Sequence, residues 1–228
     1  MMNSPARPPV RRAKSVVVRS ALLDAAESLF AEHGYHGVSI RDVATAAGVG
    51  LGRLTYNFGT KEELFRQVVA RRAEEYVGRI DRSLGRVLAD ADNEPPSPEA
   101  IIRAHVSPIF DLARNHGDGW KKYLQLLARA MNDRPHQAFL EPVSTLYDPL
   151  LARIVSAFAR ACPNAPRERL HWGFYFLESA LIHILLEAGN IDRHSDGHCR
   201  ASDFERILEE LVPFYAVAFR NLSVRSGG

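Results

Sequence analysis

The chain has 228 residues, 46% hydrophobic and 25% charged, with 15 Gly and 13 Pro. That balance fits a folded globular protein and excludes collagen-like, fibrous and disordered classes. No run of about 20 apolar residues is present to cross a bilayer, and Val16-Val17-Val18 falls far short of a roughly 7–15-residue signal-peptide core, so neither a membrane nor export is expected. Cys162 and Cys199 cannot build a disulfide framework, which points to a reducing cytoplasm.

The formal charge of +2 conceals an asymmetry: residues 1–72 hold 11 Lys and Arg against 6 Asp and Glu, and the rest of the chain 18 against 21. Arg7, Arg11, Arg12, Lys14 and Arg19 fall within the first 20 residues, among three prolines and no acid. Residues 1–17 are expected to form a flexible basic arm drawn to polyanions, with a merely solubilising tail as the plainer alternative.

In chain order, Leu22, Leu23, Ala26, Leu29 and Phe30 recur at spacings of three and four, predicting a helix over 19–32. Ser39 with Asp42 predicts a capped short helix from Ile40 to about Ala47, and Gly48 its stop. A second short helix covers 51–57. Thr60, followed by Lys61-Glu62-Glu63, starts a third whose apolar face continues through Val68, Val77 and Leu84. The stretch 90–98, with Asn93 and three prolines, reads as a loop. Helices follow over about 98–115, 120–131 and 136–161, the last kinked or split at Pro142 and Pro149. A strongly apolar helix spans 167–188, a loop 189–200, and Ser202 with Glu205 caps a final helix to about Leu222. No segment alternates with period two for long enough to be a strand, so the fold class is all-α.

Two short helices joined at Gly48, with a packing helix before and a long helix after, form a helix-turn-helix pattern, in which the second short helix enters the DNA major groove. The segment IRDVATAAGVGLGRLTYNFGTKEELF, 40–65, resembles the signature of the tetracycline-repressor (TetR) family of transcriptional regulators, and LLDAAESLFAEHGYHGVS, 22–39, resembles that family's first helix and turn. Residues 18–65 are therefore expected to form a three-helix DNA-binding domain. The resemblance implies that Leu51, Gly52, Arg53, Thr55, Tyr56, Asn57 and Lys61 face double-stranded DNA. From their chemistry, Arg53 suits a guanine edge, Asn57 an adenine, and Ser39 and Lys61 a phosphate. Gly50 and Gly52 each cost up to about 1 kcal/mol relative to Ala inside a helix, predicting a loosely formed reading helix.

The resemblance further implies that residues 66–228 form a larger helical domain that dimerises and holds a small-molecule effector. Large apolar side chains with polar tips make Trp120, Tyr123, Leu127, Met131, Phe139, Tyr147, Phe174 and Leu177 the expected pocket lining. Leu181, Leu185, Leu211, Phe214 and Ala218 are the expected homodimer interface, since helices so broadly apolar need covering on more than one side; a central place in a monomeric core is the alternative. The segment 181–197 faintly resembles regulators that sense fatty acids or acyl-CoA thioesters. Asp192, His194, Asp196, His198 and Cys199 crowd one loop with zinc- or nickel-type ligands, but their spacing follows no established site, so no metal or cofactor is assigned. Without a Gly-x-Ser-x-Gly elbow, His-Glu-x-x-His pair or Cys-x-x-Cys, the chain is not expected to be an enzyme. A homodimeric repressor on a palindromic operator is the expected function; an architectural DNA-binding factor without effector, or an all-helical enzyme or carrier, are the alternatives.

Overall fold

A computed structural model describes residues 10–92, 94–132, 139–186 and 188–222, with side chains from residue 16 onward. Among the described residues there are eleven helices and no strand: α1 (Val10–His33), α2 (Ile40–Ala46), α3 (Leu51–Phe58), α4 (Lys61–Ala70), α5 (Ala73–Asp90), α6 (Pro98–Asn115), α7 (Asp118–Asn132), α8 (Glu141–Ala161), α9 (Arg167–Leu186), α10 (Asn190–His194) and α11 (Phe204–Arg220). None is long and apolar enough to cross a membrane.

Helix α1 starts well before the expected residue 19. Pro9 is the last breaker before it, and nothing from Val10 to Val18 opposes a helix, so residues 10–17 are helical rather than part of an unstructured arm. Residues 1–9 of that expected arm lie outside the described residues.

The long helix expected from Lys61 onward is two helices, broken at Arg71-Arg72. The break turns both guanidinium groups back onto α1. Arg72 grips Glu27 through two N–H donors at 3.1 and 3.2 Å, and Arg71 Nη1 lies 2.6 Å from Asp24. Glu27 is only 2% exposed, so this ion pair is what makes its burial tolerable. The Arg72 guanidinium also lies over the Trp120 ring at 5.0 Å and passes so close to Gly119 that a Cβ there would stand 2.8 Å from Nη2.

Pro142 occupies the first turn of α8, where its missing N–H costs nothing, while Pro149 lies inside the helix. The segment 133–138, part of the helix expected over 136–161, lies outside the described residues. At the last helix the cap is Asp203, which accepts from the Arg206 N–H at 3.1 Å, one residue beyond the expected Ser202. A short helix, α10, occupies part of the expected loop.

The core is organised around α6, whose Ile101, Ile102, Val106, Ile109, Phe110 and Leu112 are buried beneath α5, α7, α8 and α11. The N-terminal helices join this body where α1 runs along α7 and α4 meets α8.

Candidate nucleic-acid interface and effector cavity

The turn between α2 and α3 is fixed by local chemistry. The Ser39 Oγ accepts from the Asp42 N–H at 3.2 Å while the Asp42 carboxylate accepts from the Ser39 N–H at 2.8 Å, a complete capping box. Hydrogen bonding to the carboxyl by the Ser39 hydroxyl, first, and by the Ser39 N–H, second, holds Asp42 below its ordinary pKa. Gly48 takes φ +65°, and the next N–H, of Val49, donates to the Ala44 carbonyl at 3.0 Å. A side chain at Gly48 would be strained by that backbone angle.

Helix α3 is divided sharply between its faces. Leu54 and Phe58 are buried against Val43, Ala44 and the α1 core, whereas Gly52, Arg53, Thr55 and Tyr56 are exposed, Tyr56 by 89%. Gly50 is the N-cap, outside the helix interior, so Gly52 alone carries the helix penalty there. Leu51, expected to be exposed, is half-buried and packs on the core. Two of the expected reading side chains are turned onto their own helix: Thr55 Oγ1 donates to the Leu51 carbonyl at 3.1 Å, and Asn57 Nδ2 to the Arg53 carbonyl at 2.7 Å. Arg53 and Tyr56 point outward.

Lys61, in the first turn of α4, is half-buried with its Nζ 4.2 Å over the Tyr35 ring, and that burial lowers its pKa. The Tyr35 hydroxyl donates to Glu62 at 3.0 Å; burial first, and this bond second, push its pKa to about 12. Arg19 lies over the Phe58 ring at 4.7 Å and hydrogen-bonds Gln67, which brings the early part of α1 beside the end of α3. One side chain not singled out from the sequence, Arg41, is an exposed cation next to Ser39 on α2, the helix that crosses the DNA backbone in such motifs. Its position, one residue into a capped helix, was the available signal.

The larger body holds an open-mouthed cavity of about 780 Å³ bounded by α5 to α9. Of the expected lining residues, Leu127, Met131, Tyr147 and Phe174 do line it. The other four do not. Trp120 is buried beneath Arg72, and Tyr123 is fully buried with its hydroxyl donating to the Val69 carbonyl at 2.7 Å. Phe139 packs against the rings of both Tyr35 and Phe65, at 5.2 and 5.7 Å, and Leu177 is entirely interior. Two residues expected at a dimer interface, Leu181 and Leu185, line the cavity instead, and Leu211 is buried in the core. Phe214 is 71% exposed and Ala218 is exposed.

Of the polar side of the cavity, Tyr147 is among the residues expected from the sequence, but neither Glu178 nor His105 is. Glu178 accepts from the Tyr147 hydroxyl at 3.2 Å and lies 2.5 Å from His105 Nε2, and His105 is 1% exposed. Burial, then the Glu178 charge, raise the pKa values of Tyr76 and Tyr147, so both phenols stay protonated donors. Beyond the first turn of α9, which carries Glu168, Glu178 is the only acid in the apolar stretch 170–186, and that isolation was the sequence signal.

In the His/Asp loop, the Asp192 carboxylate accepts from the Ala201 N–H at 2.9 Å. Among the described residues no group of three or more His, Cys, Asp or Glu is arranged to hold a metal.

Comparison with known proteins agrees with this division. Residues 22–68 match the model for bacterial regulatory proteins of the tetR family, and residues 103–218 the model for the tetracyclin repressor-like C-terminal domain. The transcriptional repressor AcnR of Corynebacterium efficiens is 42% identical over 65 residues, 27% of this chain and 35% of that protein. The transcriptional regulator BetI of Paraburkholderia phymatum is 28% identical over 148 residues, 64% of this chain and 71% of that protein. The fold resembles that of the fatty acid degradation regulator FadR from Bacillus halodurans, with a TM-score of 0.57 at 16% identity, covering 93% of this chain and 97% of that one. The C-terminal match alone spans half of the sequence, and together with the helix-turn-helix before it this shows that the chain belongs to the TetR family of transcriptional regulators.

Proposed function

We propose that this regulator is a cytoplasmic homodimeric repressor that reads a palindromic operator with α3 and is released when a lipophilic effector occupies the cavity. The observation that carries the DNA-binding half is the division of α3, with Leu54 and Phe58 fastened to the core while Arg53 and Tyr56 stand in solvent. An exposed aromatic and an arginine on one helical face present a groove with a flat ring for contact and a bidentate donor for a guanine edge. Ser39, Arg41 and Lys61 surround that face with a hydroxyl and two cations suited to phosphates. Thr55 and Asn57 can contribute after exchanging their helix carbonyls for base edges.

Dimerisation is supported by an aromatic patch shared by α9 and α11. Trp172, Tyr175, Phe176, Phe214 and Val217 are each more than half exposed, and the Tyr215 hydroxyl ties the two helices together by donating to the Phe176 carbonyl at 3.1 Å. A second copy packed there by a two-fold axis would cover it and set two reading helices about 34 Å apart, one turn of duplex. This face includes the expected Phe214 and Ala218 but, on α9, uses a side different from the expected Leu181 and Leu185.

Coupling between cavity and reader has a short route. Leu127 and Met131 of α7 line the cavity while the neighbouring Arg129 donates to the Ala31 carbonyl of α1 at 2.8 Å. Leu140 lines the cavity and the adjacent Phe139 packs against the Tyr35–Phe65 pair of the reader. An effector that binds the non-reading state 100-fold more tightly supplies about 2.7 kcal/mol of coupling; one that binds both states equally supplies none.

The test is DNA binding by Arg53→Ala, measured by fluorescence anisotropy on operator fragments. Loss of about 1–3 kcal/mol of specific binding with an unchanged dimer mass is expected. Unchanged operator affinity would remove α3 from its assigned role.

A further inference from the structure

The cavity is chemically lopsided. Its wall carries the rings of Tyr76, Tyr147, Trp172, Phe174 and Tyr175, the carboxylates of Glu178 and Asp148 and the exposed imidazole of His171, while none of its described lining residues is Lys or Arg. Glu178 is the best-placed of the acids: half-buried at the cavity wall, held by the Tyr147 hydroxyl on one oxygen and by His105 on the other. His105 Nδ1 is buried without a hydrogen-bond partner among the described residues. The tautomer that donates Nε2–H to Glu178 leaves there only an unused lone pair, whereas a doubly protonated ring would bury an orphaned N–H donor. The first arrangement is the less costly, and it leaves the negative charge of Glu178 uncancelled at the half-buried cavity wall. Each carboxylate oxygen keeps a further lone pair for a ligand.

We propose that the cavity takes a lipophilic ammonium ion, an apolar body bearing one protonated amine that meets Glu178 between the aromatic rings. The hydrocarbon wall of Leu124, Leu127, Leu151, Leu181 and Leu185 takes the body of the molecule. The amine gains a charge-assisted hydrogen bond from the carboxylate and attraction to the ring faces. A fatty-acid anion fits badly, because its carboxylate would be desolvated beside a like charge. This narrows the effector away from the fatty-acid expectation raised by the sequence. The proposal rests on the reading of the cavity as the effector site, and the experiment separates the two.

Isothermal titration of the full chain at pH 7 with dodecylamine, dodecanol and dodecanoate, the two ions below their micelle concentrations and the alcohol below its solubility limit, keeps the hydrocarbon constant and varies only the head. Dodecylamine is expected to bind about tenfold more tightly than dodecanol, with dodecanoate weakest. Glu178→Gln, checked for helix content by circular dichroism, is expected to erase the advantage of the amine over the alcohol while dodecanol still binds. Dodecanoate or dodecanol binding as tightly as the amine, or an undiminished amine preference in Glu178→Gln, would overturn the charge assignment and leave the cavity reading standing. Failure of all three to bind would overturn both. If the variant does not fold, the ranking on the unaltered chain decides.

Discussion

Helices α3 and α9 pose the same problem and solve it differently. In α3 the apolar residues Leu54 and Phe58 fall on one face and polar or small groups on the other, so position around the helix already separates what packs from what reads. In α9 nearly every face is apolar: Leu170 and Leu177 point into the core, Phe174, Leu181 and Leu185 to the cavity, and Phe176 to solvent, with Trp172 at the border of cavity and solvent. Periodicity says which residues share a face, and only the neighbouring helices say what that face meets. A segment with one apolar side declares its role locally, and a segment with three does not.

That contrast is sharpened most by truncating α9 side chains of equal size. Leu177→Ala, in the core, is expected to cost about 3 kcal/mol in urea unfolding, because it opens a new void. Leu185→Ala, on a wall that already adjoins empty space, is expected to cost less than half as much. Equal losses would mean that the cavity is not open in solution. On the third face, Phe176→Ala is expected to leave the fold intact and weaken the dimer by about 2 kcal/mol, roughly thirtyfold in dissociation constant by sedimentation. A dimer of unaltered strength would place the interface elsewhere.

Near α3 the effects are smaller and local. Ser39→Ala removes the N-cap of α2 and is expected to lower stability by about 1 kcal/mol. The partner of that cap, Asp42, has a folded pKa below its unfolded one, so its contribution is complete above the ordinary carboxylate range and disappears as pH falls through the lowered value. The wild-type chain and Asp42→Asn should therefore converge in acid and differ near neutrality; a constant difference across pH would contradict the capping box. Lys61→Ala is expected to weaken binding to all DNA sequences alike and to flatten the slope of log affinity against log salt by about one per reading helix. A sequence-selective loss would mean that Lys61 touches bases.

The DNA-facing third of the molecule was legible because its signals are consecutive: Ser39 with Asp42, Gly48, and the alternation of Leu54 and Phe58 with Arg53 and Tyr56 all act within a few residues. Even there, Leu51 settled against the core, and α1 ran further back than its apolar pattern, since backbone propensity alone suffices to extend a helix. The break at Arg71-Arg72 left no breaker residue to read, because its partners, Asp24 and Glu27, lie some 45 positions away. The same reason hid the cavity. Trp120, Tyr123 and Phe139 have the composition of pocket walls but are occupied by Arg72, by the Val69 carbonyl and by the Tyr35–Phe65 pair. Glu178 gained its place through His105, 73 positions distant.

The central claim is that two copies of α3 are presented together to one duplex. Sequencing the genomic fragments retained by the purified full chain tests it directly. Enrichment of an inverted repeat whose half-sites are centred about 10 base pairs, or a multiple of that, apart is the expected result. Retention of fragments with no common sequence, or of a single unrepeated half-site, would contradict it.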